Sequence, residues 1–273
     1  MTNSSSNSSE ISTNVVQADE TLPILFQDEY VVAIHKPAGL LVHRSPIDRH
    51  ETRYALQILR RQLDQKIYPV HRLDKPTSGV MLFALSREAA GQLGKQFSEN
   101  TVQKAYLAVV RGYAPESGWI DHALRADPDP YAGRPEFGEA KPAQTYYQRL
   151  ASHEIDVEIE RYPQSRYSLV LAEPLTGRPH QIRRHMKHIS HPIIGDAKHG
   201  RGRHNRYFAQ SLNCPRLLLH ATQLRFTHPK TAERIVLNCP VDGVYGQLLE
   251  RFGWLKSATE FAIPERRKNV TDI

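Results

Sequence analysis

The chain has 273 residues, 40% apolar and 24% charged, and its 36 basic against 29 acidic side chains give a formal charge of +7, so it is neither disordered throughout nor large enough for more than one to two domains. Its longest uncharged apolar run, Val80 to Leu85, is far short of the ~18 to 20 residues a bilayer requires, and no basic-then-apolar leader opens it. Cys214 and Cys239 stand 25 positions apart without a Cys-x-x-Cys partner, which excludes a disulfide scaffold and a thiolate zinc site and makes a reducing cytoplasm the expected location.

Residues 1–20 are Ser/Asn-rich and read as a disordered tail. They carry three acids and no base, so the remainder stands at +10, and a polyanionic partner is expected. Ile24-Leu25-Phe26 and Tyr30 to Ile34, separated by Gln27-Asp28-Glu29, predict a hairpin. Thr52 to Leu63 carries a helical stripe, Gly79 to Leu85 reads as a buried strand, and Ser86 is placed to cap a helix running to Phe97 on Ala89, Leu93 and Phe97. Strands are predicted at Val102–Val110, Thr145–Leu150, Tyr167–Ala172 and Leu217–Phe226. Asp127 to Pro142, rich in Pro, Gly and charge, reads as a surface loop. Pro179 is expected in the first turn of a helix with its seam at Ile182, Met186 and Ile189. A hairpin at His228-Pro229-Lys230 and a helix over Val241–Phe252 close the body. Elements mix without regular βαβ alternation, so the fold class is α+β, a large mixed, mostly antiparallel β-sheet flanked by helices and loops. One domain over residues 21–260 is expected, followed by a C-terminal tail over 261–273.

The most constrained segment is Tyr68-Pro69-Val70-His71-Arg72-Leu73-Asp74-Lys75-Pro76-Thr77-Ser78-Gly79. In an extended chain Arg72 and Asp74 share one side while Leu73 anchors the other, and the Pro and Gly that follow hold the loop rigid. A carboxylate is thereby presented at a sheet edge. From spacing alone a surface Arg–Asp pair about a turn is the plainer reading.

A second segment, Thr176-Gly177-Arg178-Pro179-His180-Gln181-Ile182-Arg183-Arg184-His185-Met186-Lys187-His188, crowds arginines and imidazoles at a helix start, and Arg178 to Arg206 holds eight Lys or Arg against one acid, Asp196. This density reads as a phosphate-backbone footprint or as a solvated face. His180, His185, His188, His191 and His199 raise a metal, but no acid lies between Glu173 and Asp196 to complete a ligand set, and no metal is expected. Gly-x-x-x-x-Gly-Lys and Gly-x-Gly-x-x-Gly are both missing.

Taken in order, His71-Arg72-Leu73-Asp74 with Thr77-Ser78-Gly79, Gln103-Lys104-Ala105-Tyr106, Gly177 to Arg183, His191-Pro192-Ile193-Ile194-Gly195-Asp196 and Arg216-Leu217-Leu218-Leu219-His220-Ala221 resemble the successive motifs of the RluA-type pseudouridine synthases. His35-Lys36-Pro37, Leu41 to Ser45, Lys198-His199-Gly200 and Phe252-Gly253-Trp254 resemble the TruC branch, which modifies uridine 65 of tRNA. The resemblance spans residues 22 to 255. It implies a tRNA-acting isomerase, with ribosomal RNA as the alternative substrate within the family. A related fold that only binds RNA, and a metal-dependent phosphoester hydrolase, are the readings from other classes. Asp74 resembles the family's essential aspartate, Tyr106 the tyrosine under the target base, and Arg183 the arginine paired to the aspartate. Arg72 matches the residue filling the gap left by a flipped uridine, and Leu218 or Leu219 the apolar residue on the base. RNA contacts are further expected from His71, Arg178, Arg184, Arg201 and Arg203. The S4-like domain that precedes some relatives has no counterpart before Leu22, so RNA affinity is expected from this one domain acting as a monomer. Uridine isomerisation involves no net oxidation, hydrolysis or phosphate transfer, so no cofactor is expected. It needs an ionised carboxylate beside the sugar, an aromatic ring to hold the freed base and a site closed to water.

Overall fold

The computed structural model describes residues 20–44, 50–128, 136–241 and 243–264. The tail expected at 1–20 lies outside these apart from Glu20, as do Ser45 of the Leu41–Ser45 stretch, the middle of the Asp127–Pro142 loop, and 265–273 of the C-terminal tail.

Strands β1 (Ile24–Gln27) and β2 (Val31–Lys36) form the expected hairpin. Asp28 shapes its turn by accepting from the N–H groups of Tyr30 and Val31 at 2.7 and 2.8 Å. Helix α1 (Ala55–Leu63) and the short β3 (Tyr68–Pro69) lead to β4 (Ser78–Ala84), seven residues buried without exception. Helix α2 (Arg87–Ser98) starts where Ser86 Oγ accepts from Ala89 N–H at 3.1 Å. There follow β5 (Gln103–Arg111), β6 (Ser117–Asp121), β7 (Leu124–Arg125), β8 (Ala140–Lys141), β9 (Gln144–Ile155), β10 (Ser165–Pro174), α3 (Gln181–His188), α4 (Gly202–Ser211), β11 (Leu219–Thr227), β12 (Arg234–Asn238), α5 (Gly243–Arg251) and α6 (Leu255–Thr259). Ten strands join one sheet in the order β1-β2-β4-β11-β5-β10-β9-β6, with β3 on β4 and β12 on β11. Only β4 and β11 run parallel among these pairings.

Period-two alternation in the central strands separates two cores. Ala105, Leu107 and Val109 of β5 and Tyr167, Leu169 and Leu171 of β10 face a cluster with Phe208 of α4 and Leu248 of α5. Ala108, Val110, Val170 and Ala172 face Ile182 and Met186 of α3 instead. A third cluster fills the space between β2, β4, α1 and α2. Strands buried on both faces explain why β5 and β10 read as continuous apolar runs.

One row across the sheet matters for the site. Lys36, Gly79, Ala221, Tyr106, Ala172 and Tyr147 are aligned strand to strand. Gly79 adopts φ +118, and a Cβ there would lie 2.3 Å from the Ala221 carbonyl oxygen. Only glycine lets the parallel pair close.

Candidate active site

Asp74 sits on the loop entering β4. Because β4 lies between β2 and β11, the carboxylate opens from the interior of the sheet and not from its edge, the expected position. Leu73 roots the loop in the core beside β4. The Thr77 N–H closes a turn on the Asp74 carbonyl at 3.0 Å, and Gly39 N–H reaches the Lys75 carbonyl at 2.8 Å. Beneath it the fully buried Lys36 donates to the carbonyls of Pro37 and Leu40, both at 2.8 Å, and of Lys75 at 3.2 Å. Burial and the nearby Arg216 push Lys36 down to about 7, yet three carbonyl acceptors ask for three N–H donors, a set that only the ammonium supplies. Lys36 therefore ties the loop after β2, at Pro37 and Leu40, to the Asp74 loop at Lys75.

Arg183 provides the partner. Its Nη1 donates to Asp74 Oδ2 at 2.9 Å, while Nε and Nη2 grip both oxygens of Asp196 at 2.7 and 2.8 Å. Asp196 is the acid missed as a site residue in the sequence reading. Burial alone would raise it, but the Arg183 fork and the N–H groups of His199 and Lys198, at 2.9 and 3.0 Å, hold it below its ordinary value. Exposure grades the three side chains, at 20% for Asp74, 7% for Arg183 and 0% for Asp196. Asp74 Oδ1 has no hydrogen-bond partner among the described residues, so one edge of the carboxylate faces the cleft.

Helix α3 begins at Gln181, two residues beyond the expected Pro179 start, because His180 takes a left-handed conformation at φ 54. The buried Gln181 amide organises the turn, accepting from Thr176 Oγ1 at 2.7 Å and Arg178 N–H at 2.9 Å, and donating to the Gln144 carbonyl and Thr145 Oγ1. This aims Arg183 inward. It also leaves His180 Nε2 3.9 Å from Asp74 Oδ2, with burial keeping that imidazole below its ordinary value.

The cleft has a volume of about 400 Å³, within the range of small-ligand pockets. Arg72, Asp74, Tyr106, Arg178, Arg183 and Leu219 all line it. Burial and then the Asp74 charge raise the Tyr106 phenol, so it enters the site neutral. Two residues before it on the same face of β5, Lys104 is lowered to about 8 by burial. Arg72 is exposed and makes no hydrogen bond or ion pair among the described residues, leaving its guanidinium available at the mouth.

The remaining expected residues separate. Leu219 faces the cleft, whereas Leu218 is buried in the opposite core, its carbonyl accepting from Tyr245 OH, so of that pair Leu219 alone meets the site. His71 lines the wall, but its Nε2 accepts from Leu82 N–H at 2.9 Å and its ring stacks on Phe97. It completes the ladder of β4 where β3 ends, and burial with Lys104 drives it down to about 3, so it brings no cation to RNA. Arg178 is tied to the Pro142 carbonyl at 3.0 Å. Arg184 leaves the cleft and pins the Arg125 carbonyl at 2.6 Å. Arg201 and Arg203 are exposed at the start of α4, outside the cleft. Of the metal-ligand candidates of the α3 region His180 and His199 meet at 3.2 Å, but no three of them converge among the described residues. Among the described residues His35, His220 and Cys239 do, but both ring nitrogens of His220 are engaged, by Ser78 Oγ at 2.8 Å and the Cys239 carbonyl at 3.0 Å. Through its bond to Ser78, His220 clasps β11 to β4.

Residues 30–188 match the family model described as RNA pseudouridylate synthase. Curated relatives named tRNA pseudouridine synthase C include one from Vibrio vulnificus, 48% identical over 235 residues that cover 85% of this chain and 96% of the relative. Another, from Pasteurella multocida, is 49% identical over 236 residues, covering 86% and 97%. Among solved structures, human RNA pseudouridylate synthase domain containing 1 superposes with a TM-score of 0.62 at 29% identity, over 83% of this chain and 85% of that one.

Proposed function

Since the chain belongs to the RNA pseudouridylate synthase family, we propose that it isomerises one uridine of tRNA to pseudouridine, and that this uridine is at position 65. The relatives named tRNA pseudouridine synthase C support the class of RNA, and the motifs shared with the TruC branch support the position. The observation that carries the chemistry is the partly exposed Asp74 carboxylate, held by the buried Arg183 at 2.9 Å in a cleft floored by Tyr106 and Leu219.

In the reaction the N1–C1′ bond breaks, the uracil turns, C5 bonds to C1′, and the C5 proton is replaced by one on N1. A base inside folded RNA is first flipped out at a cost of a few kcal/mol, and the unpartnered Arg72 fills the space it vacates. Asp74 then acts with its open carboxylate edge toward the nucleoside, its other oxygen fixed by Arg183. Leu219 and the Tyr106 ring bound the base on apolar surface and exclude water that would otherwise capture C1′. Being neutral, Tyr106 holds the detached ring by stacking and by its O–H, a role that needs no phenolate. Arg178, Arg201 and Arg203 contact phosphates. Residues 21–260 act as one catalytic domain, monomeric and cytoplasmic, a reading supported by the single large sheet and by two buried free cysteines.

The test is to map pseudouridine in total RNA from cells lacking the protein, and then after return of the wild type or of Asp74→Asn. Position 65 of one or more tRNAs loses its mark, and only the wild type restores it. A missing ribosomal site with intact tRNA would overturn the substrate, and restoration by Asp74→Asn would overturn the carboxylate.

A further inference from the structure

The central strands β5 and β10 end in a cavity on each side. Opposite the cleft, a second one of about 440 Å³ is walled by Arg111, Tyr113, residues 160–166, His191 and His204. We propose that this cavity seats an unpaired nucleotide of the same RNA whose uridine is isomerised, stacked on Tyr113 and Tyr162. The inference rests on the reading that the substrate is tRNA.

Two tyrosines stand open at this end of the molecule, Tyr113 at 43% and Tyr162 at 61% exposure. Each lies under a guanidinium, Arg166 at 5.2 Å from the Tyr113 ring and Arg161 at 5.7 Å from that of Tyr162. Leaving large rings in water gains the fold nothing, whereas rings interleaved with arginines form a surface that stacks bases and tracks the backbone. Arg161 has no carboxylate partner among the described residues, so its charge is open to a phosphate.

The floor is built and rigid. Arg111 donates through Nη2 to Glu160 Oε2 at 3.0 Å and through Nε to His204 Nε2 at 3.1 Å, and His204 Nδ1 meets the buried Tyr167 hydroxyl at 2.9 Å. Burial and Arg111 keep His204 neutral. Glu160 thus offers an acceptor for the amino group of a base, while at the rim Arg166 pairs with Glu154 at 2.5 Å and Arg161 supplies the open positive charge. This chemistry fits a nucleotide better than an inorganic anion, which the Glu160 carboxylate would repel.

The place is right for the same RNA. Tyr106 and Arg111 are five residues apart on β5, about 17 Å, a separation that a single folded RNA easily spans. From His180 at the cleft, whose Nδ1 is 3.2 Å from His199 Nε2, the chain reaches His204 at the pocket past the exposed Arg201 and Arg203.

The full chain carrying Tyr113→Ala with Tyr162→Ala is to be compared with the wild type in filter binding and steady-state assays on a tRNA transcript. Both residues are at the surface, and the melting temperature of each variant checks its fold. The Kd and KM rise about tenfold while kcat at saturating tRNA stays within about twofold, and Tyr113→Phe with Tyr162→Phe retains wild-type affinity because stacking survives. Unchanged binding by the alanine pair, or equal weakening by the phenylalanine pair, overturns the pocket alone. A wild type that neither binds nor modifies the transcript overturns the assignment of substrate and the pocket together. A pocket that captures peptides while the alanine pair binds tRNA normally assigns this surface to a protein partner and overturns the proposal.

Discussion

The loop of Asp74 and the turn of Asp196 present carboxylates to the two sides of one guanidinium, and they do opposite work. Asp196 takes two bonds from Arg183 and two from backbone N–H groups and is wholly buried, so every lone pair facing a donor is satisfied. Asp74 takes a single bond from Arg183 and keeps an edge toward the cleft. Asp196 therefore positions Arg183, which in turn positions Asp74. We propose that reactivity belongs to the carboxylate with open acceptor capacity and rigidity to the one without.

The contrast breaks if the two aspartates respond alike to substitution. Asp74→Asn keeps the shape of the loop, and isomerase activity on a tRNA transcript should fall by about 10³-fold or more, with stability changed by less than about 0.5 kcal/mol in urea unfolding. Asp196→Asn should do the reverse in emphasis. It leaves a buried guanidinium half-compensated and costs about 3 kcal/mol in the same unfolding measurement, with activity lost as Arg183 drifts. Equal stability of the two variants would remove the distinction.

A smaller effect sharpens the origin of the rigidity. Gly195 precedes Asp196 at φ +78, and a Cβ there would lie 1.8 Å from the Arg216 carbonyl oxygen. Gly195→Ala should cost about 2 kcal/mol through strain and displacement of the turn, read as a lowered melting temperature. The smallest effect is in acid. Asp196 titrates lower in the folded chain than in the unfolded one, so its contribution is complete above about pH 4 and is lost as pH falls through the folded value. Urea midpoints measured from pH 5 downward should therefore fall more steeply for the wild type than for Asp196→Asn.

How much of this was legible in the residues depended on whether a side chain's role is local. Ser86, Asp28 and the unbroken apolar run of β4 act through neighbours in sequence, and hairpin, cap and buried strand were all readable. The pairing of Arg183 with Asp74 spans 109 positions and was available only through motif resemblance. Asp196 was visible as a lone acid in a basic stretch, but nothing local marks it as the brace of Arg183. Its motif, with a glycine immediately before an acid, was the one available signal. The histidines misled in the other direction, because whether an imidazole binds RNA or completes a β-ladder, as His71 does, is decided by tertiary contacts. Helix α4 was missed because its inward stripe, His204 and Phe208, is short and submerged among arginines. Helix α6, only five residues long, and β6 with its exposed Ser117 and Asp121 carry too little periodicity to read.

The seam between β4 and β11 bears on how the protein is made. Ser78 and His220, joined at 2.8 Å, are 142 positions apart, and the same seam holds the loop of Asp74 in place. During synthesis the loop leaves the ribosome long before the strand that clasps it, so a nascent chain halted before His220 has every motif through Asp196 but lacks the seam that holds the Asp74 loop. The contact joins residues far apart in sequence, so closure of this seam is expected late in folding.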